Sequence, residues 1–205
     1  MTVSEGNLDF IFSDVYSAQK FDDTRFYRER FAALPYGKAV DFIASSSSRF
    51  MFIEVKDCYG NEAENRWRIG NNNSKRDTVP PLHDVSDRDS VDIEFAQKVA
   101  MTISALVGVL TNPTPYAFTA ECTKYAESLC SDKVRNGTKI LIAVLVLEGD
   151  FGNGLHTRTN KMIHREIRLS IEKKLKWLKC IVIVVDMHEI GTVKNFPFTV
   201  ARLAK

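Results

Sequence analysis

The sequence predicts a mixed α/β fold, a β-sheet core flanked by helices on both faces, and three observations predict it. Two continuous apolar runs, ILIAVLVL at residues 140 to 147 and CIVIVVDM at 180 to 187, have the character of strands buried on both faces. A basic amphipathic stretch over about residues 160 to 178 lies between them, so the unit reads as a right-handed parallel crossover. Upstream, KAVDFIASSSSRFMFIEVKD (38 to 57) holds two strand-like runs separated by serines, which read as an antiparallel hairpin.

Taken in order, SAQKFDDTRFYRERFAAL (17 to 34) predicts a helix ended by Pro35 and Gly37, with Phe21, Phe26 and Phe31 turned to a core. Strands follow over 38 to 45 and 49 to 57. Residues 58 to 90 form a polar insertion, with Asn71, Asn72 and Asn73 in a row and then Pro80 and Pro81, which predicts a long loop with a short strand around RWRI. From Ser90, Phe95, Val99, Ile103, Leu106 and Leu110 recur at helical steps until Asn112 and Pro113. A second helix is expected over 116 to 130, and Asn136 and Gly137 turn the chain into the strand at 140. With no repeat and no boundary, residues 1 to 205 read as one domain.

Composition excludes several classes. The longest uninterrupted apolar run falls short of the roughly 18 residues of a spanning helix, so no membrane segment is expected. MTVSEGNLDF lacks a basic region followed by an apolar one, so no secretory signal is expected and the default is cytoplasmic. Cys58, Cys122, Cys130 and Cys180 form no CxxC pair, and His83, His156, His164 and His188 show no zinc spacing. GNGLH at 152 to 156 lacks the Lys-Ser/Thr of a phosphate-binding loop, and no nucleophilic serine motif is present. Charge is uneven: residues 1 to 150 carry 17 basic and 22 acidic side chains, residues 151 to 205 carry 11 and 4. A basic end suits a polyanionic partner.

The chain holds two acid-x-Lys triplets. Glu172-Lys173-Lys174 falls in the amphipathic helix, where positions i and i+2 do not share a face. Glu54-Val55-Lys56 differs, because it ends FMFIEVK, where alternation puts Phe50, Phe52, Glu54 and Lys56 on one face and Met51, Ile53 and Val55 on the other. A turn near Ser47 and Ser48 makes Asp41 the cross-strand neighbour of Glu54, and like charges so placed repel. A divalent cation would compensate them, with Lys56 placed to orient the attacking water and stabilise transition-state charge. The alternative is that Lys56 itself neutralises both acids at a wet strand end.

An acid on one strand, about a dozen residues, Glu-x-Lys on the next and then a helix resembles the PD-(D/E)xK nuclease superfamily, the restriction-endonuclease-like fold. The resemblance covers roughly residues 17 to 148. It implies that Asp41 and Glu54 bind Mg²⁺ or Mn²⁺ with the Val55 carbonyl completing the site, that Lys56 is the catalytic lysine, and that phosphodiesters are hydrolysed, mostly in DNA. On the helix after the Glu-x-Lys strand the family often places a polar residue near the scissile phosphate, and Gln97 is favoured over Lys98, which reads as an i,i+4 surface partner of Glu94. Some members add a helix-borne acid before the hairpin, for which Glu29 is best placed. Val40 stands where the family has proline, and the third strand of the opening meander would come from WRI (67 to 69) or LDFIF near the N-terminus.

Substrate contacts are expected from Arg66, Arg68, Lys75 and Arg76 in the insertion, with Trp67 able to stack on a base, and from Lys161, Arg165 and Arg168 beside His164 on the basic helix. The expected function is a metal-dependent nuclease acting on nucleic acid, DNA before RNA, with no membrane partner and room for a homodimer. The alternatives are a catalytically silent nucleic-acid-binding or assembly protein on the same fold, and an enzyme using these acids on a non-nucleic substrate.

Overall fold

The structure is a computed structural model that describes residues 1–35, 37–73, 89–111, 116–152 and 158–203. In chain order it contains β1 (Thr2–Glu5), β2 (Leu8–Phe12), β3 (Ser17–Lys20), α1 (Arg25–Glu29), β4 (Phe42–Ser45), β5 (Arg49–Asp57), α2 (Glu62–Asn65), α3 (Val91–Thr111), α4 (Tyr116–Leu129), α5 (Asp132–Arg135), β6 (Ile140–Glu148), α6 (Asn160–Lys174), β7 (Cys180–Val185), α7 (Met187–Thr192) and β8 (Phe198–Arg202). Short 3₁₀ turns occupy Phe31–Ala33 and Arg66–Ile69.

The central sheet has the order β3-β4-β5-β6-β7. Its first three strands form an antiparallel meander, and β6 and β7 run parallel to β5. The expected mixed sheet is therefore present, with α3 and α4 leading from β5 to β6 and α6 leading from β6 to β7. A two-residue turn at Ser47 and Ser48 closes the β4–β5 hairpin, where Ser46 N donates to Arg49 O at 2.9 Å and Ser46 Oγ accepts from Arg49 N at 3.2 Å.

Alternation along β5 divides the protein into two cores. Phe50 and Phe52 join Phe95, Val99 and Leu106 of α3 and Ile163, Ile167 and Ile171 of α6 on one face. Met51, Ile53 and Val55 face the other, where Leu8, Phe10, Phe12 and Phe198 cover them together with Ile190 of α7. That second face is covered chiefly by an antiparallel sheet, β1-β2-β8, which brings the two ends of the chain together. β6 alternates the same way, with Leu141, Ala143 and Leu145 toward the helices and Ile142, Val144 and Val146 toward the small sheet. Burial on both sides is why its sequence is uninterruptedly apolar.

Two expectations are corrected. Residues 17 to 34 are not one helix: β3 comes first and α1 is only five residues, capped by Thr24, whose hydroxyl accepts from Tyr27 N at 3.2 Å. Phe21 and Phe26 do reach the core, but from a strand end and a short helix. The third meander strand is β3, not WRI, which is a 3₁₀ turn, nor LDFIF, which is β2 of the small sheet. The α3 helix has the length and hydropathy of a membrane span, the single such helix among the described residues, and it is built into the helical core through Phe95, Val99, Ala105 and Leu106.

Phe10 is fully buried, with its ring 5.1 Å from Phe42 of the central sheet and 5.6 Å from Phe198 of β8. Truncation to alanine removes one of the aromatic contacts between the two sheets, so Phe10→Ala is expected to lower unfolding free energy by about 3–5 kcal/mol in chemical denaturation.

Candidate active site

The β4–β5 register pairs Phe42 with Ile53, and one step further it sets Asp41 against Glu54. Asp41 is held there from both sides. Its Oδ2 accepts from Val55 N at 2.7 Å, and its carbonyl accepts from Phe21 N at 2.8 Å as β3 leaves the sheet. Glu54 is fully buried at the end of the helical-core face of β5. Its Oε1 receives two ammonium groups, Lys98 Nζ at 2.6 Å and Lys56 Nζ at 2.9 Å, while its Oε2 is buried without a hydrogen-bond partner among the described residues.

The N-terminal turns of α3 complete the cluster. Glu94 is buried and its Oε1 lies 2.9 Å from Lys56 Nζ, while its Oε2 pairs with Arg68. Lys98, one turn on, also lies 3.6 Å from Asp41 Oδ1. Asp22, two residues past β3, faces Asp41: carboxylate oxygens of Asp22, Asp41 and Glu5 lie within 4.8 Å of one another, and Asp22 Oδ1 is buried without a hydrogen-bond partner among the described residues.

Electrostatics follow from this packing. Burial, and then the charge of Glu54, push the Asp41 carboxyl well above its ordinary range, against the pull of Lys98 and of the Val55 N–H. Burial likewise raises Asp22, to about 6. Burial draws the Lys56 ammonium down, but Glu54 and Glu94 outweigh it and the pKa is raised; for Lys98, Glu54 and Asp41 do the same. Burial raises Glu94, yet Lys56, Arg68 and Lys98 hold it below its usual value. Both lysines are therefore charged at neutral pH.

The donor set fits a hard divalent cation. It is all oxygen, and it includes two buried carboxylate oxygens, Glu54 Oε2 and Asp22 Oδ1, that no donor among the described residues satisfies. An unsatisfied buried carboxylate oxygen is costly, and a cation relieves it.

The predicted site residues separate into those brought together and those not. Asp41, Glu54 and Lys56 converge as the register required, and Val55 is tied to Asp41 through its N–H. Lys98 reaches the carboxylates, and Gln97 is half-buried one position away on α3. Glu29 is not in the site: it is half exposed and pairs with Arg25 at 2.9 Å on α1. The additional acid is Asp22, whose only sequence signal is the Asp22-Asp23 pair before Thr24. Arg68 is not a free loop cation but an inner partner of Glu94.

Arg66 is exposed on its 3₁₀ turn, and Lys75 and Arg76 lie outside the described residues. Lys161, Arg165 and Arg168 share one face of α6, where with His164, Val184 and Glu189 they line a cavity of about 260 Å³. The α6 helix starts where the carboxyl ends of β5, β6 and β7 emerge, the end of the sheet that also carries Glu54 and Lys56. His164 Nδ1 lies 2.8 Å from Glu189 Oε2, and Asp186 caps α7 in a capping box with Glu189, so these groups already have structural roles.

A family model described as Family of unknown function (DUF6661) matches residues 24–196. No curated protein and no solved structure matches the chain. The match spans most of the sequence and includes Asp41, Glu54, Lys56, Glu94 and Lys98, and the chain belongs to that family.

Because the folded pKa of Asp22, about 6, stands above its ordinary 3.8, the folded protein takes up this proton before the unfolded chain does. Stability is therefore expected to rise as pH falls through about 6 and to level off near 3.8, with Asp41 acting in the same direction. Thermal melts of Asp22→Asn from pH 7.5 to 4 should lack that share of the rise.

Proposed function

We propose that the chain is a metal-dependent nuclease of the restriction-endonuclease-like kind, hydrolysing phosphodiester bonds in nucleic acid, DNA before RNA, in the reducing cytoplasm. The observation that carries this reading is the pairing of Asp41 with fully buried Glu54 at a strand end, beside Lys56, with one Glu54 oxygen lacking a donor among the described residues. The order of strands supports it: an antiparallel meander, a helical crossover on α3 and α4, then a strand parallel to the third. All four cysteines are free, which supports a reducing setting.

Asp41 and Glu54 would hold Mg²⁺ or Mn²⁺, with the Val55 carbonyl and Asp22 as further oxygen donors. A bound ion would supply Lewis-acid polarisation of the phosphodiester and neutralise developing charge. Lys56 donates to Glu54 Oε1 and Glu94 Oε1, so its ammonium is fixed over the acids with little freedom to lose when a phosphate and a water arrive. Its charge is available both to orient the attacking water and to stabilise the pentavalent transition state. Lys161, Arg165 and Arg168 would take backbone phosphates along the same end of the sheet.

The same cluster also has the look of a closed ion-pair network, since Lys56 and Lys98 both occupy Glu54 Oε1. That feature favours a second reading, a silent nucleic-acid-binding protein on this fold. Metal binding and cleavage distinguish the two.

Calorimetric titration with Mn²⁺ and assays on mixed DNA and RNA should show binding and cleavage by the wild type and neither by Asp41→Ala/Glu54→Ala. Lys56→Met is expected to keep metal binding and lose cleavage by about 10²–10⁴-fold. Nucleic-acid binding with no metal uptake by the wild type would support the silent reading instead. Lys161→Glu/Arg165→Glu is expected to weaken nucleic-acid binding and flatten its salt dependence by about two phosphate contacts in filter-binding assays.

A further inference from the structure

The ammonium most intimately placed among the acids belongs to Lys98. Its Nζ lies 2.6 Å from Glu54 Oε1, 3.6 Å from Asp41 Oδ1 and 4.0 Å from Glu94 Oε1. Lys56 contacts Glu54 and Glu94, while Lys98 alone also reaches the Asp41 carboxylate among the described ion pairs. We propose that Lys98 is an internal counter-cation that competes with the divalent ion for Asp41 and Glu54, and that Glu94 receives its ammonium when the ion binds. The inference rests on the metal-dependent reading above.

Three features carry it. The first is space and charge. An ammonium bonded to one carboxylate and 3.6 Å from the other occupies the ground where a cation shared by both must place its charge. Two such charges a few ångströms apart repel strongly where water is sparse. Lys98 must therefore yield at least part of this position.

The second is the destination. Glu94 stands one helical turn before Lys98 on α3, and its Oε1 is already at 4.0 Å, so transfer needs only rotamer changes along a flexible four-carbon stem. Lys56 and Arg68 hold the Glu94 carboxylate in place, one at each oxygen. The receiving group is thus fixed and the moving group is the lysine.

The third is the uneven use of Glu54. One oxygen carries two ammonium groups and the other, though buried, carries no donor among the described residues. Departure of Lys98 leaves Lys56 on Oε1 and both carboxylates of the pair accessible to the ion. In the metal-free protein the pair is competent only for the fraction of time that Lys98 is away, and the apparent affinity is reduced by that fraction.

The test is calorimetric titration of Mn²⁺ into the wild type, Lys98→Met, Lys98→Gln and Glu94→Gln, with Asp41→Ala/Glu54→Ala as the reference lacking the acids. Circular dichroism checks folding. Lys98→Gln keeps a hydrogen-bond donor toward Glu54 without the charge, so it serves where the methionine variant does not fold. Removing the competing charge is expected to tighten Mn²⁺ binding by about tenfold in either variant, and Glu94→Gln to weaken it by a similar factor.

A purely structural lysine would give the opposite sign, because its loss loosens the acids and lowers affinity. Unchanged or weaker binding in the folded Lys98 variants, with the wild type still binding and the double-alanine chain not, overturns the competition and leaves the metal site standing. Failure of the wild type and the Lys98 variants alike to take up Mn²⁺ overturns both.

Discussion

Everything at the centre of this protein answers to one constraint: Glu54 is a carboxylate with no exposed surface at the end of the middle strand of the sheet. A charge so buried cannot stand without partners. Two elements supply them. The β5 strand itself brings Lys56 two residues on, on the same face, and α3 brings Lys98 across from above. Bringing α3 there requires its first turns to sit over the strand end, which puts Glu94 into the interior as well and then demands Arg68 from the preceding 3₁₀ turn. The position of the insertion's first half thus follows from a chain of charge compensation that begins at one carboxylate.

The small sheet has a corresponding role on the opposite face. Without β2 and β8, Met51, Ile53 and Val55 would lie in water, and β5 would be a half-buried strand free to shift its pairing with β4 by a residue. Such a slip would turn Glu54 out of the helical core and separate it from Asp41. Burial of both faces pins the register, and the register sets the carboxylate pair. Aromatic contacts do much of that work: Phe10 meets Phe42, the residue after Asp41, at 5.1 Å, so the small sheet packs directly behind the site.

Much of the site was legible in the sequence because it depends on the two simplest periodicities. Period-two alternation in FMFIEVK and a turn centred on Ser47 and Ser48 were sufficient to bring Asp41 and Glu54 together. The central strands, the long helix from residue 91 and the basic helix were legible for the same reason, since each has a long, regular apolar pattern. Short elements were not. Ser17–Lys20 is four residues, too few to show alternation, and three well-spaced phenylalanines beyond it gave a helical appearance to a strand, a cap and one and a half turns of helix. Asp22 has no signal in such a pattern, because a carboxylate on a surface helix has no reason to face a site. Lys98 has the spacing of a surface partner of Glu94. The i,i+4 relation holds, but sequence spacing cannot say that this face of α3 turns inward over the sheet. β8 was invisible for another reason: its partner β2 lies at the far end of the chain, and no local pattern announces such a pairing.

Stability alone gives little reason for the charged interior. Ion pairs taken out of water recover their desolvation only with good geometry and full hydrogen bonding, and well-packed apolar replacements are commonly neutral or better. Here the bonding is incomplete among the described residues: Glu54 Oε2 and Asp22 Oδ1 are buried without a donor, and Asp41 is pushed well above its normal pKa by burial and by its neighbour. Apolar side chains lie immediately beneath, with Phe50 and Phe52 on the same face of the same strand. A fold able to bury those two phenylalanines could have continued the pattern. Instead the apolar run stops where the strand reaches the end of the sheet and gives way to acids and lysines in mutual contact. The arrangement is expensive as scaffold and makes physical sense as a binding site, in which a ligand supplies the charge and coordination that the protein leaves open.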